Sequence, residues 1–406
     1  MRRSVTSGSD VRAGTGGTRP VREETPAHGR RARKRRPLRQ RPVACTVLAA
    51  LSVFLLLVSW SVGNALIVPG GGTVSERLAE WARDHYLGPV VTFGEWLSYQ
   101  SPKVGGKPSF SLARPGVRPA TAPSRSAAGA LSAPPAPLRS LAGRPLPGEG
   151  QWRVLGTVKG QPAIYGTYLR ASSVYTSYVA GIALLNQDLL RFELRPGTED
   201  PGPGDWKAAP DIAAGTRAGL LATFNNGFKI AQSDGGFYLN GASTGRLTDG
   251  TASVVYYRDG HIAIGVWGET VRMTPDVVGV RQNLHLIVSR GHIPGSVDSN
   301  VETSWGATLG GSYYVWRSGI GVTASGQVVF AYGPALNVRE LAELLKRAGA
   351  VTAMQLDINP DWTSFMYYVR SHPADPTPVA LLPDQVQPAD RYYSVSGRDF
   401  TAVYSR

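Results

Sequence analysis

Twenty-six consecutive residues, Val43 to Val68 (VACTVLAALSVFLLLVSWSVGNALIV), carry no charge. A helix of that length extends about 39 Å at a rise of about 1.5 Å per residue, enough to cross a hydrocarbon core of about 30 Å with some tilt. No such run can be the half-wet helix of a soluble domain, so it sets the plan of the chain. Lys and Arg crowd only its N-terminal flank, in GRRARKRRPLRQRP. The positive-inside rule then predicts a single-pass cell-membrane protein, with a cytoplasmic N-terminus and everything after residue 68 extracellular. A cleaved signal peptide is the rival reading, with Gly63-Asn64-Ala65 as the small-residue site. The basic leader of about 40 residues and the long apolar run favour an uncleaved signal-anchor.

The charge distribution follows the same plan. Residues 1–42 hold 13 Lys/Arg against 3 Asp/Glu, a composition that predicts a solvated, disordered tail. Residues 151–406 hold 21 basic and 21 acidic residues. The net charge of +14 over 406 residues therefore belongs to tail and linker. A neutral main domain excludes nucleic acid as its partner. The single cysteine, Cys45, lies in the apolar run, so no intrachain disulfide and no Cys-based metal site can form.

Residues 69–100 form a juxtamembrane region. Thr73 and Glu76 make a capping-box pattern, and Val74, Leu78, Trp81 and Ala82 recur at helical spacing. Residues 101–150, rich in Pro, Ala, Ser and Gly, predict an extended linker able to carry a domain into wall polymer. From Gln151 to Arg406 short β-rich runs alternate with turn signals. Arg258-Asp259-Gly260-His261 and Ala324-Ser325-Gly326-Gln327 read as hairpin turns. One helix is clear, with Asn337 as N-cap, apolar positions at Val338, Leu341, Leu344 and Leu345, and Gly349 at the C-cap. The expected fold class is α+β, a β-rich mixed-sheet domain with few helices.

Gly241-Ala242-Ser243-Thr244-Gly245 matches G-x-S-x-G, but a turn and a strand follow where a nucleophile elbow needs a helix. Ser243 is therefore read as a hairpin residue. Three other segments draw attention. Asn225-Asn226-Gly227-Phe228 closes an apolar strand, and Asp234-Gly235-Gly236-Phe237 repeats the turn; such turns can aim N–H groups at an anion. Arg317 precedes Ser318-Gly319 and a strand, and a planar guanidinium suits phosphate or carboxylate. Asp357 ends the run TAMQLD, before Asn359-Pro360-Asp361 and Trp362. Strand alternation puts Asp357 on the side of Gln355, with Met354, Leu356 and Ile358 opposite.

Together these segments resemble the phosphodiester glycosidase family, whose hallmarks are an N-G-G-[FY]-F turn, an R-[TS]-x-[IV]-G strand and an L-D-G-G-G-S turn. The first looks like Asn226-Gly227-Phe228 with Gly235-Gly236-Phe237-Tyr238, the second like Arg317-Ser318-Gly319-Ile320-Gly321, and the third like Leu356-Asp357. The family's Gly-Gly-Gly-Ser is replaced by Ile358-Asn359-Pro360-Asp361-Trp362, which cannot let a ligand approach the backbone in the same way. The LDINPDW form also looks like that of a subgroup of actinobacterial exported proteins.

The resemblance implies an extracellular hydrolase that cleaves a glycosyl phosphodiester in a cell-wall or exopolysaccharide-type polymer. Asp357 would serve as base or nucleophile at the anomeric carbon. Arg317 and Asn226 would hold the phosphate together with Gly227, Phe228, Gly235 and Gly236. Asp361 and Trp362 would complete the substrate site, with Phe365 and Tyr367 as further rings of a sugar wall. Lys229, Asn240, Asn283 and His292 are second-rank candidates. No cofactor is expected, while a Ca²⁺ ion held by Asp and Asn oxygens stays open. The alternative is a non-catalytic wall-polysaccharide scaffold on the same fold.

Overall fold

The computed structural model describes residues 42–67, 74–91, 93, 101–113, 134–299, 305–306, 313–369 and 374–406. The basic tail up to residue 41, Thr73 of the capping-box pattern and residues 114–133 of the linker lie outside them. The uncharged run forms helix α1 (Pro42–Ile67). It is the one helix among the described residues long and apolar enough to cross a membrane. This is compatible with a single-pass anchor or a signal sequence. The described residues up to Ser59 form one compact unit and those from Trp60 onward another. Within the second, helix α2 (Val74–Asp84) folds back on the last turns of α1, where Trp81 Nε1 donates to Ser61 Oγ at 2.9 Å.

The remaining chain is built of strands. β1 (Arg153–Val158), β2 (Gln161–Leu169) and β3 (Ala180–Leu185) form a meander, and β4 (Leu190–Arg195) and β5 (Leu220–Asn225) leave it for a second sheet. A third sheet contains β6 (Phe237–Leu239), β7 (Ala242–Thr244), β8 (Ala252–Tyr257), β9 (Ile262–Val266) and β10 (Val277–Gln282), in the order 7-6-10-8-9. The chain then returns to the first sheet with β11 (Leu286–Val288), β12 (Val315–Thr323), β13 (Val328–Leu336) and, after helix α3 (Val338–Arg347), β14 (Ala350–Gln355). That sheet reads 1-2-3-13-12-14-11. β15 (Phe365–Val369), β16 (Thr377–Ala380) and β17 (Phe400–Ser405) complete the second, 16-15-5-17-4.

The α+β, β-rich expectation with few helices therefore holds. Its mixed-sheet detail needs correcting. Every named strand pair is antiparallel, and among the described residues parallel geometry enters only at the isolated bridges Asp200–Arg398 and Trp267–Val271. Burial explains the strand texture. β13 is buried along its whole length because both of its faces are covered. Val328, Phe330 and Tyr332 pack with Phe224 and Phe365 of the second sheet, while Val329 and Ala331 pack under Leu341, Leu344 and Leu345 of α3. β4 alternates because only one of its faces is covered. Helix α3 starts as its sequence dictates. Asn337 Oδ1 accepts from Glu340 N at 2.7 Å, and Glu340 Oε2 accepts from Asn337 N at 3.1 Å. Gly349 takes φ +102° at its C-terminal end and turns the chain into β14.

The segment read as a linker is partly bound to the domain. Glu149 is buried and ion-paired to Arg170 at 2.9 Å, and Leu138 N donates to Gly150 O at 3.0 Å. The described residues 134–150 are thus strapped to β2 rather than extended away from it.

Candidate active site

Asp357 lies two residues past the end of β14, where the antiparallel ladder with β12 continues as single bonds. Leu356 N donates to Ser318 O and Ser318 N to Asp357 O, both at 2.8 Å. Ser318 Oγ accepts from Asp357 N at 3.1 Å and from Asn225 Nδ2 at 2.9 Å. The three segments singled out in the sequence, around 225, 318 and 357, therefore meet. Asp357 is 5% exposed. Its Oδ1 accepts from Ile358 N at 2.7 Å and Asn359 N at 3.1 Å, so the departing Ile-Asn-Pro turn serves to orient the carboxylate. Asn359 Oδ1 in turn caps Asp361 N at 2.9 Å.

The guanidinium beside this acid belongs to Arg398, just before β17. Arg398 Nη2 donates to Gly227 O at 3.2 Å and contacts Asp357 Oδ2 at 3.5 Å. Its Nε stands 3.6 Å from Asp200 Oδ2, and its plane lies 5.0 Å from the Trp362 ring centroid. A second buried cation, Arg281, pairs with Asp399 at 3.0 Å and also binds the Phe228 carbonyl. Two guanidiniums thus face the carboxylates of Asp200, Asp357 and Asp399. Burial pushes the Asp357 carboxyl up to about 6, against the pull of Arg398, the two turn N–H groups and Arg281. Burial would lower Arg281, but Asp399 and Asp200 outweigh it and raise its pKa.

Asn226 is 2% exposed. Its Oδ1 accepts from Thr401 Oγ1 at 2.8 Å and from Tyr256 OH at 3.4 Å, which fixes the carboxamide and aims Nδ2. That Nδ2 is buried and has no hydrogen-bond partner, whereas Arg398 Nε is ion-paired with Asp200 at 3.6 Å. A buried amide donor without an acceptor, one residue before the Gly227 carbonyl that Arg398 binds, is the defining feature of the site.

Other expected residues lie elsewhere. Arg317 is 1% exposed, and its three donor nitrogens go to Leu336 O (2.8 Å), Gln355 Oε1 (2.9 Å) and Tyr313 O (3.2 Å). Burial lowers its pKa to about 10, with Tyr313 and Glu340 pulling upward. It fastens β12 to β13 and β14, and no described contact joins it to Asp357. The position expected for it beside the acid is occupied by Arg398. Gly236 N donates to Gln282 Oε1 at 3.0 Å, and a Cβ on Gly235 would meet Gln282 Cβ at 2.5 Å, so this turn is fastened to β10. Gly227 contributes its carbonyl to Arg398, and a Cβ there would stand 2.9 Å from Asn283 Cγ. Phe228 is core, with its N–H on Asn283 Oδ1 at 3.2 Å.

Trp362, Phe365 and Tyr367 are buried, which corrects the expectation of an open sugar wall. Trp362 instead packs against the guanidiniums of Arg391 (5.3 Å) and Arg398 (5.0 Å). Asp361 is half-buried, with its carboxyl raised by that burial. Asn283 is structural, donating to Gln355 O and Leu356 O. Asn240 binds Trp206 O, and His292 is exposed. Lys229 shows no described contact to Asp357. No group of three or more His, Cys, Asp or Glu side chains among the described residues is arranged to hold a metal ion.

Asp200, Arg281, Arg398 and Asp399 were missed in the sequence because no local motif marks them. The adjacent opposite charges of Arg398-Asp399, entering the apolar strand FTAVYS, were the available signal.

A β-rich domain that sets a buried acid against a buried guanidinium fits a glycosidase-type hydrolase. Residues 212–357 match the phosphodiester glycosidase family, which supports that class and a carbohydrate-type substrate. The match ends at Asp357, where the turn departs from the family pattern. Among solved structures, the zebrafish N-acetylglucosamine-1-phosphodiester alpha-N-acetylglucosaminidase catalytic domain, auto-inhibited by its pro-peptide, aligns at 13% identity and a TM-score of 0.40, over 63% of this chain and 88% of that one. A hypothetical protein from Synechocystis aligns at 13% identity and 0.34, over 62% of this chain and 63% of its own. No curated protein matches the chain.

Proposed function

We propose that residues 151–406 hydrolyse a glycosyl phosphodiester in a wall- or exopolysaccharide-type polymer, as an extracellular domain on a membrane anchor at residues 43–68. The observation that carries this reading is the Arg398 guanidinium held against the Asp357 carboxylate, with the buried Asn226 Nδ2 lacking an acceptor one residue before the Gly227 carbonyl that Arg398 binds. A phosphodiester oxygen supplies the acceptor for Asn226, and the guanidinium supplies the charge that favours an anion there. Water attacks the anomeric carbon and passes a proton to Asp357. The bridging oxygen leaves on a phosphate monoester, an anion stable enough to need little help from an acid. A carboxyl near 6 is poised for that base role around neutral pH.

The test is release of phosphate monoester from a glycosyl 1-phosphodiester by the full-length protein in detergent micelles. Asp357→Asn is expected to lower turnover at least a thousand-fold and Asn226→Ala about a hundred-fold, with unchanged far-UV spectra. Full activity in Asp357→Asn would rule the mechanism out. Substrate binding without turnover in the wild type would favour the scaffold.

A further inference from the structure

A cavity of about 380 Å³ lies between β4 of the second sheet and the third sheet. We propose that it is a second saccharide site, taking a phosphorylated sugar unit. The inference rests on the hydrolase reading and deepens it, since a polymer of glycosyl phosphates offers such a unit beyond the bond being cut.

The charge of the cavity points to an anion. Arg191, Arg195, Lys207 and Arg258 line it, against the carboxylates of Glu193 and Asp259. Both acids are already engaged. Glu193 is shared by two guanidiniums, with Arg195 at 2.7 Å and Arg191 on its other oxygen. Asp259 caps its own turn, accepting from His261 N at 3.0 Å and touching the His261 ring. Arg258 donates to the Pro275 carbonyl at 3.4 Å, and neither it nor Lys207 forms an ion pair among the described residues. Arg195 Nε is buried without a hydrogen-bond partner. The Arg191 pKa is lowered first by burial, with the charge of Arg195 adding to the effect. These groups give a net excess of cations in a domain that is neutral overall.

The rest of the lining suits a sugar ring. Val278 and the half-buried Tyr257 give apolar and aromatic surface over the buried Leu194, Leu239 and Tyr256. The volume falls within the range of roughly 300–1,000 Å³ typical of small-molecule sites, at its lower end. Tyr256 also ties the cavity lining to the candidate site, because its hydroxyl donates to Asn226 Oδ1 at 3.4 Å.

The probe is α-D-glucose 1-phosphate, titrated calorimetrically into full-length protein in detergent micelles. The inference expects binding in the Asp357→Asn protein that weakens at least ten-fold in Lys207→Glu/Arg258→Glu, with the melting temperature of that double variant unchanged. No binding to Asp357→Asn, or the same affinity in the double variant, overturns it. Equal affinity for inorganic phosphate overturns the sugar assignment. Cavity binding found alongside a wild type that never turns over refutes the hydrolase reading and leaves the site standing.

Discussion

Asp357 pays for its position in burial. Its folded pKa, near 6, exceeds the 3.8 of a free carboxyl. The native state therefore binds this proton more tightly than the unfolded chain does. The buried charge weakens the fold above about pH 6, and the penalty fades as pH falls toward 4. Asp357→Asn should melt at or above the wild-type temperature at pH 7.5, with the gap closing at pH 4.5; calorimetry at the two values decides this. The kcat/KM of the wild type should fall below about pH 6 as the base takes up its proton. The two arginines are expected to behave differently. Arg398→Lys keeps the charge but loses the planar donor set, so turnover drops at least ten-fold with little change in melting. Arg317→Met leaves three acceptors without donors and should cost about 3 kcal/mol or more, seen as a lower urea midpoint. A selective loss of turnover in Arg317→Met, with stability intact, would return the anion role to that residue.

At the level of elements, α3 is the clearest sequence-to-structure link. Asn337→Ala removes a two-way cap and should cost about 1 kcal/mol, or about 2–4 °C of melting temperature in a domain of this size. What could be read in the sequence was local. The α3 cap, the hairpin turns at 258–261 and 324–327, and the acid after β14 are all specified by neighbours within a few residues. The meeting of Asn225, Ser318 and Asp357 was legible because each segment carries its own motif. The partner of Asp357 was not, since Arg398 arrives from 41 residues away through sheet pairing that no local pattern encodes. The aromatic run after Asp357 misled for a related reason. A Trp, Phe or Tyr looks the same in sequence whether it faces a ligand or the core, and here Phe365 and Tyr367 of the second sheet pack against Phe330 and Tyr332 of the first.

At the scale of the whole molecule, the uncharged helix is compatible with a membrane anchor or a signal sequence, and the domain that follows is neutral. Full-length protein is expected to stay with membranes through an alkaline carbonate wash, and protease added outside intact cells should degrade the domain. A soluble domain beginning near residue 65 would instead show that the segment is cleaved. The route of assembly carries a further consequence. The site joins Asp200, Asn226 and Asp357 to Arg398 and Thr401 on the entry to β17, a strand that pairs with β4 and β5 across about half of the chain. On the proposed topology, a chain crossing a bilayer would therefore carry an incomplete candidate site until residue 401 had emerged, and the proposed hydrolysis would begin only once export was complete.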